Sequence, residues 1–430
     1  MKKIPEILEF SIDVRNNELP ALIYSFFYFF CLLCAYYIIR PLRDEMGILG
    51  GIDNLPWVFT GTFITILCMV PLYGWVSSRY ARRQFLPIVY IFFIGNLFIF
   101  YGLFYFKTAP AIVAQTFFIW VSVFNLFVIS VFWSFMDDIY DKEQAKRLFG
   151  TIAAGGTMGA ICGPIITSWL VQPLGIDNLL LISIFFISLA LLCIRALSNW
   201  FEQQPQARND TSYQKPVSGS WFSGATLVFR SPYLLGICLL ILMYSTLSTF
   251  LYFQQASIIK DNFIDSAERT SVFATIDMAV NILTILIQVF LTSRIVKSFG
   301  LNWTLALIPL LLIIGFISLS IAPTLGVLIV VQVLRRAGNY SIMRPAREML
   351  YVVLGREEKY KAKNFIDTVV YRGGDTVSAW AYDGLKILGL SLSQIAFIAI
   401  PLTAIWAYVA YQLGVKREQI AETSITNQER

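Results

Sequence analysis

The sequence predicts an all-α integral membrane protein of twelve transmembrane helices, arranged as two six-helix bundles related by pseudo-two-fold symmetry. Three observations lead there. The 430 residues are 57% hydrophobic and 15% aromatic but only 14% charged, too little polar surface to cover a soluble globule of this size. Apolar runs of about 20 residues, enough to cross a hydrocarbon core of roughly 30 Å, recur along the whole chain. Short basic loop patterns also repeat at a spacing of about 215 residues, half the chain. Ser78, Arg79 and Arg82 answer to Ser293, Arg294 and Lys297, and Lys146, Thr151 and Gly156 answer to Lys363, Thr368 and Gly373. A duplicated membrane chain predicts two bundles facing each other across a central cavity, the architecture of alternating access.

The predicted spans follow in order. The first, 19–39, comes after Lys2, Lys3 and Arg15 and ends in Arg40-Pro41-Leu42-Arg43-Asp44-Glu45. Spans 56–76 and 86–106 flank the loop carrying Arg79, Arg82 and Arg83, and span 110–135 runs into Asp137, Asp138, Lys142, Lys146 and Arg147. Spans 150–171 and 178–198 complete the first bundle, residues 1–198. The polar stretch 199–232, with Gln203, Pro205, Asn209, Pro216 and Gly219, reads as a cytoplasmic linker, in which Trp221–Phe229 is an amphipathic segment suited to the membrane surface. The second bundle, 233–415, holds spans 233–254, 271–293, 303–321, 324–345, 365–387 and 391–412, and 416–430 is a tail. Only Ala322, Pro323 and Thr324 separate its third and fourth spans.

Lys and Arg concentrate in alternate loops, with few (Lys107, Lys260, Arg269) on the other side. The positive-inside rule then places both termini in the cytoplasm, in an inner membrane of bacterial type. The net charge of +6 is accounted for by this asymmetry and calls for no nucleic-acid partner. No small-residue cleavage site follows a short apolar core, so the first span is expected to remain as an anchor. All six cysteines (Cys31, Cys34, Cys68, Cys162, Cys193 and Cys238) fall inside apolar spans, and there is no histidine. Packing is the expected role of those thiols, without disulfide, metal or cofactor. The sequons at Asn209 and Asn302 fall on the cytoplasmic side, where they would be idle. A monomer in the lipid bilayer is expected.

Charges inside the membrane carry the functional argument, because each costs a few kcal/mol unless it is paired or faces water. Arg335 and Arg336 lie about eleven residues into their span, near the midplane at about 1.5 Å per residue. Gln332, Arg335 and Asn339 share one helical face by i, i+3, i+4 spacing. Arg372, Asp375 and Asp383 lie in the eleventh span, Asp277 in the eighth, and Arg40, Arg43, Asp44 and Glu45 at the end of the first. One reading pairs each arginine with an acid, for example Arg372 with Asp277 or Asp375. The other turns several arginines toward an anionic substrate, since the guanidinium fork binds phosphate or carboxylate. Asp44, Asp277, Asp375 and Asp383 are the candidates for charge pairing or proton coupling.

Some motifs carry a family likeness. Gly74-x-x-x-Ser78-Arg79-x-Ala81-Arg82-Arg83 resembles the loop signature of the major facilitator superfamily, with Ser78 and Ala81 in place of Asp and Gly. Such arginines can hold helix C-terminal carbonyls and carboxylates, or simply fix topology by their charge. Arg79, Arg82, Arg83, Arg147, Asp137, Asp138, Arg294, Arg347 and Glu348 are accordingly the candidate cytoplasmic gate. Gly155, Gly159 and Gly163 put small residues on one face of the fifth span, where backbones can approach closely. With Pro164 they are also similar to that superfamily's antiporter motif, although Thr167 and Ser168 stand at its terminal glycine pair.

Ile38-Ile39-Arg40-Pro41-Leu42-Arg43-Asp44-Glu45 resembles the end of the first helix in the ATP/ADP translocases of plastids and obligate intracellular bacteria. Phe132-Trp133-Ser134-Phe135, Glu143-x-Ala145-Lys146-Arg147, Pro345-Ala346-Arg347-Glu348-Met349 and Ile366-Asp367 with Arg372-Gly373 extend the likeness to the eleventh span. The resemblance implies nucleotide exchange, with Arg43 at the family's first-helix basic substrate position. It departs in the fourth helix, where Val121, beside Ser122 and Asn125, stands at the place of a glutamate.

The reading is a secondary transporter of a small organic anion, with nucleotide exchange implied by the resemblance. Its candidate substrate residues are Arg40, Arg43, Arg335, Arg372, Asn125, Gln332 and Asn339, with Tyr36, Tyr37 and Trp133 as a stacking face for a base. The alternatives are proton-coupled transport of another phosphorylated or carboxylated metabolite, and a non-transporting membrane sensor or scaffold. No Gly-x4-Gly-Lys-Ser/Thr loop occurs, and no nucleophile, base and metal set marks an enzyme.

Overall fold

The structure is a computed structural model, and it describes residues 14–15, 18–79, 82–203 and 221–428. Every regular element among them is helical. In hydrocarbon a backbone has no water to bond, so each span must satisfy its own N–H and C=O groups. In chain order, α1 is Leu19–Leu49, α2 Leu55–Arg79, α3 Arg82–Tyr105, α4 Pro110–Ile139 and α5 Lys142–Glu202. The short α6, Trp221–Arg230, precedes α7 (Pro232–Asn262), α8 (Ser266–Phe290) and α9 (Thr292–Ile321). After α10 (Leu325–Gly338), a π-helical turn, Asn339–Met343, leads into α11, Arg344–Leu350. After α12 (Arg356–Phe365), a second π-helical turn, Ile366–Val370, leads into α13, Tyr371–Ile387, and α14 is Leu392–Gln428.

Among the described residues, nine of these helices are long and apolar enough to cross a membrane. One of the nine, α5, holds two spans, because Gly175 breaks it at φ 82°, ψ 166°. That left-handed backbone suits glycine, which has no Cβ to clash. Two further spans, α10–α11 and α12–α13, are interrupted by the π turns. The twelve spans read from the sequence are therefore all present. Capping marks the starts. Asp141 accepts from the Glu143 and Gln144 amides while the Gln144 side chain returns to the Asp141 amide, and Ser231 caps α7 ahead of Pro232. The final helix runs on to Gln428, into the stretch read as a tail.

The chain folds as two compact units. One comprises Met1–Gly50, Cys68–Pro216 and Ile264–Met278, and the other Gly51–Leu67, Val217–Phe263 and Ala279–Arg430. Two segments thus cross over: the first half of α2 belongs with the later part of the chain, and the first half of α8 with the earlier part.

In the first unit α1 packs along α5, and the glycine stripe explains how. A Cβ built on Gly159 would lie 2.3 Å from the Phe30 carbonyl oxygen, and one on Gly155 2.4 Å from that of Phe26. Lipid tails are as apolar as leucine, so close van der Waals contact has to hold helices together where a hydrophobic driving force cannot. Phe29, Phe132 and Trp133 stack around this seam, the first two at 4.0 Å and 8°. In the second unit α9 packs along α14, and α13 along α7. Trp57, Phe92, Ile99, Leu192, Ile314 and Phe397 are among many large apolar side chains left exposed, an exterior that fits lipid and would be a liability in water. All six cysteines are free thiols.

Candidate functional site

The second unit holds a buried cation with no acid against it. Arg335, 6% exposed, donates from Nε (3.2 Å) and Nη2 (2.8 Å) to the Gln332 side-chain oxygen and from Nη1 (2.6 Å) to the Ser248 hydroxyl. Gln332 is fixed in turn, donating to the Gln255 side-chain oxygen and to the Leu251 carbonyl on α7. A guanidinium has five N–H donors, so two remain after these bonds, and no carboxylate lies within 4.0 Å among the described residues. Leaving a cation uncompensated in a dry interior costs several kcal/mol. The arrangement is therefore suited to an arriving anion.

Around it stand further polar groups. Asp375 on α13 accepts from the Ser245 hydroxyl at 2.6 Å and lies 3.6 Å from Arg372. Arg372 lies over the Tyr371 ring at 5.5 Å, Tyr371 is 6.0 Å from Tyr244, and Tyr244 is 5.9 Å from Trp406. Asn339 is buried at the first position of the π turn. Asp383 is half-buried two turns past Asp375 and forms no ion pair among the described residues.

The first unit holds a more fully paired set on α1. Arg40 meets Asp277 of α8 at 3.2 Å and lies over the Tyr37 ring at 5.5 Å. Arg43 bonds its neighbour Asp44 at 2.6 Å and lies over the Phe118 ring at 5.0 Å. Of the two acids considered for Arg372, geometry selects Asp375, and Asp277 goes to Arg40. Tyr36 is buried edge-on to Tyr37 at 5.2 Å. Trp133 packs into the phenylalanine seam against Phe29, Phe132 and Phe149. In α4, Val121 is fully buried and the Ser122 hydroxyl returns to the Phe118 carbonyl, while the Asn125 side-chain oxygen is buried without a hydrogen bond.

The basic loop residues are distributed within each unit. Arg147 forms a two-pronged bond with Glu18 (3.0 and 3.2 Å), whose carboxylate also takes the Gln144 amide and the Arg15 backbone N–H. Arg347 pairs with Asp367 at 3.3 Å and Glu348 with Lys363 at 2.6 Å. Arg79, Asp137 and Arg294 are exposed and Asp138 is half-buried. The side chains of Arg82 and Arg83 lie outside the described residues, as does Asn209.

Several groups had no role assigned to them from the sequence. Glu45, fully buried, is held by Arg269 at 2.7 and 2.9 Å and by the Ser266 hydroxyl at 2.6 Å. Ser248, Gln255 and Ser245, which hold Arg335 and Asp375, carry no charge and look like ordinary span residues. Arg344 falls at the very end of the predicted span 324–345, and the π turn before it is what marks its place.

Comparison with known proteins agrees with this build. The model of the Major Facilitator Superfamily matches residues 21–347. The chain is 22% identical to "ADP,ATP carrier protein 1" of Chlamydia muridarum (strain MoPn / Nigg), over 98% of this chain and 95% of the relative. It is 20% identical to the protein of that name from Chlamydia pneumoniae, over 100% and 97%. Among solved structures it is similar to that of a mutant of the nucleoside transporter NupG, with a TM-score of 0.66 and 14% identity over 93% of this chain and 100% of that one. A bacterial homologue of the iron transporter ferroportin in an inward-facing state gives a TM-score of 0.65 at 12% identity, over 93% and 98%. Twelve helical spans with an apolar exterior and polar, charged interiors, together with these relatives, define a multi-pass membrane transporter. The chain belongs to the Major Facilitator Superfamily.

Proposed function

We propose that this transporter exchanges small organic anions of the nucleotide type by alternating access. The observation that carries the reading is Arg335: a buried guanidinium held by neutral Gln332 and Ser248, with donors left over and no acid within ion-pair distance among the described residues. A phosphate supplies the missing charge and accepts the spare N–H groups in forked geometry. The curated relatives are named as ADP,ATP carriers, and the tyrosines beside the arginines offer a face for a base. Arg372, in the same unit, serves the same anion, moving between Asp375 and substrate. With no nucleotide-hydrolysing loop in the sequence, the gradient of the exchanged anions drives the cycle.

Uptake into proteoliposomes tests it. Labelled nucleotide should enter only when nucleotide is preloaded inside, and an uncoupler should leave the rate unchanged. A second reading has its own observation. Asp375 is a buried carboxylate whose neighbours, Ser245 and Arg372, could hold it with or without a proton, as proton-coupled anion transport requires. Uptake into empty liposomes that collapses with uncoupler would select that reading over exchange.

A further inference from the structure

The helix that carries Arg335 does not end its cationic line there. Arg344 opens α11 directly after the π turn, with its guanidinium carbon 5.2 Å from the Tyr340 ring centroid. In an uninterrupted α-helix a residue nine positions on would sit about 180° round from Arg335. The i→i+5 turn inserts one residue and so withdraws about 100° of that rotation, bringing Arg344 toward the Arg335 side. The same device recurs in the neighbouring span, where the turn Ile366–Val370 immediately precedes Tyr371 and Arg372. Such turns concentrate at functional sites.

Arg344 is exposed, yet Tyr244 of α7, Tyr371 of α13 and Tyr340 lie within electrostatic reach of it, and the same three tyrosines reach Arg335. Exposure leaves Arg344 open to a ligand. It makes no ion pair among the described residues, and the acid within its reach, Asp367, is already engaged by Arg347. Contact through the face of the guanidinium with an aromatic ring leaves the N–H edges free for a forked bond to an anion. Among the described residues, Arg335, Arg344 and Arg372 thus have one carboxylate in ion-pair contact, Asp375 beside Arg372. A singly charged ligand at Arg335 leaves a guanidinium unmatched, whereas one with a second anionic group matches both.

We propose that Arg344, positioned by Tyr340, is a specificity-determining residue: it forms a second anion subsite that reads the additional charged group of a substrate whose first is held by Arg335. The inference rests on the anion reading of Arg335 above and adds a count of charges to it. Adenosine mono-, di- and triphosphate serve as probes, titrated against the full-length protein in lipid nanodiscs at fixed ionic strength. A charge-assisted hydrogen bond is worth about tenfold or more in affinity. The wild-type protein is expected to bind the diphosphate about tenfold tighter than the monophosphate. Arg344→Gln should bring that ratio close to one while leaving monophosphate affinity within about twofold. Equal loss for all three probes, or an unchanged ratio, overturns the subsite. Binding of no probe by the wild-type protein instead overturns the anion reading, and the subsite with it. If Arg344→Gln does not yield folded protein, Arg344→Met, which keeps the apolar stem, decides by the same ratio.

Discussion

Arg269 and Glu45, 224 residues apart, form a forked ion pair in which Nε and Nη2 donate to the two carboxylate oxygens at 2.9 and 2.7 Å. The Ser266 hydroxyl adds a third bond to the same carboxylate. Both residues are buried, so the pair ties the start of α8 to the end of α1 in an environment where a lone charge is intolerable. Arg40 and Asp277 repeat the link farther along the same two helices.

Breaking this pair should cost far more than removing it. Glu45→Gln leaves Arg269 charged and buried, a loss of about 3–5 kcal/mol, whereas exchanging both residues for leucine and methionine should be close to neutral. Thermal unfolding of the two single variants and the double variant, in one detergent, measures the coupling. Additive losses would show that the contact contributes nothing of its own.

Arg335→Met keeps the stem of the side chain but removes a cation that lacks an acid partner among the described residues. Its apparent melting temperature should equal or exceed that of the wild type, because the desolvation cost disappears. A nucleotide at 100 times its Kd stabilises a binding-competent protein by about 2.7 kcal/mol, and this shift should vanish in the variant. Loss of the folded protein in place of the ligand shift would make Arg335 a structural residue.

Glu18 provides a pH test outside the spans. Burial pushes its carboxyl up, but the bonds from Arg147, Gln144 and the Arg15 amide outweigh it, and the net shift is downward. A carboxyl held below its unfolded value, about 4.3, contributes stability above that pH and loses it as pH falls through the lower folded value. The wild type should therefore destabilise more steeply than Glu18→Gln below about pH 4. Parallel melting curves for the two proteins across that window would dissociate Glu18 from acid sensitivity.

Gly159→Ala should lower stability by about 1–3 kcal/mol, as overpacked sites do, because the new methyl would press on the Phe30 carbonyl. Gly102→Ala is the control: a Cβ there meets nothing within 4 Å, and alanine favours the helix. Similar melting temperatures for both would show that α1 and α5 can separate without penalty.

Much of this was legible in the sequence. Span lengths are fixed by bilayer thickness, so hydropathy located all twelve. The i, i+3 relation likewise put Gln332 on the face of Arg335, while for Arg372 it left Asp375 and Asp277 both open. The match of Arg40 with Asp277, and of Glu45 with Arg269, was not legible. It depends on the first half of α8 lying with the earlier part of the chain, a tertiary event without a local pattern. Arg344 was missed because a π turn has no composition of its own, and a cation at the very end of the predicted span 324–345 is ordinary.

Those wide turns bear on how homologous chains should be compared. Deleting one residue within Asn339–Met343 would restore an ordinary helix and leave Arg344 eight places from Arg335, still about 80° round from it, whereas closing the turn to α with every residue kept would swing it by about 100°. Two descendants could carry the arginine one residue apart in sequence and yet aim it at the same wall. Along this stretch, a single-residue gap can keep the chemistry that an ungapped match would lose.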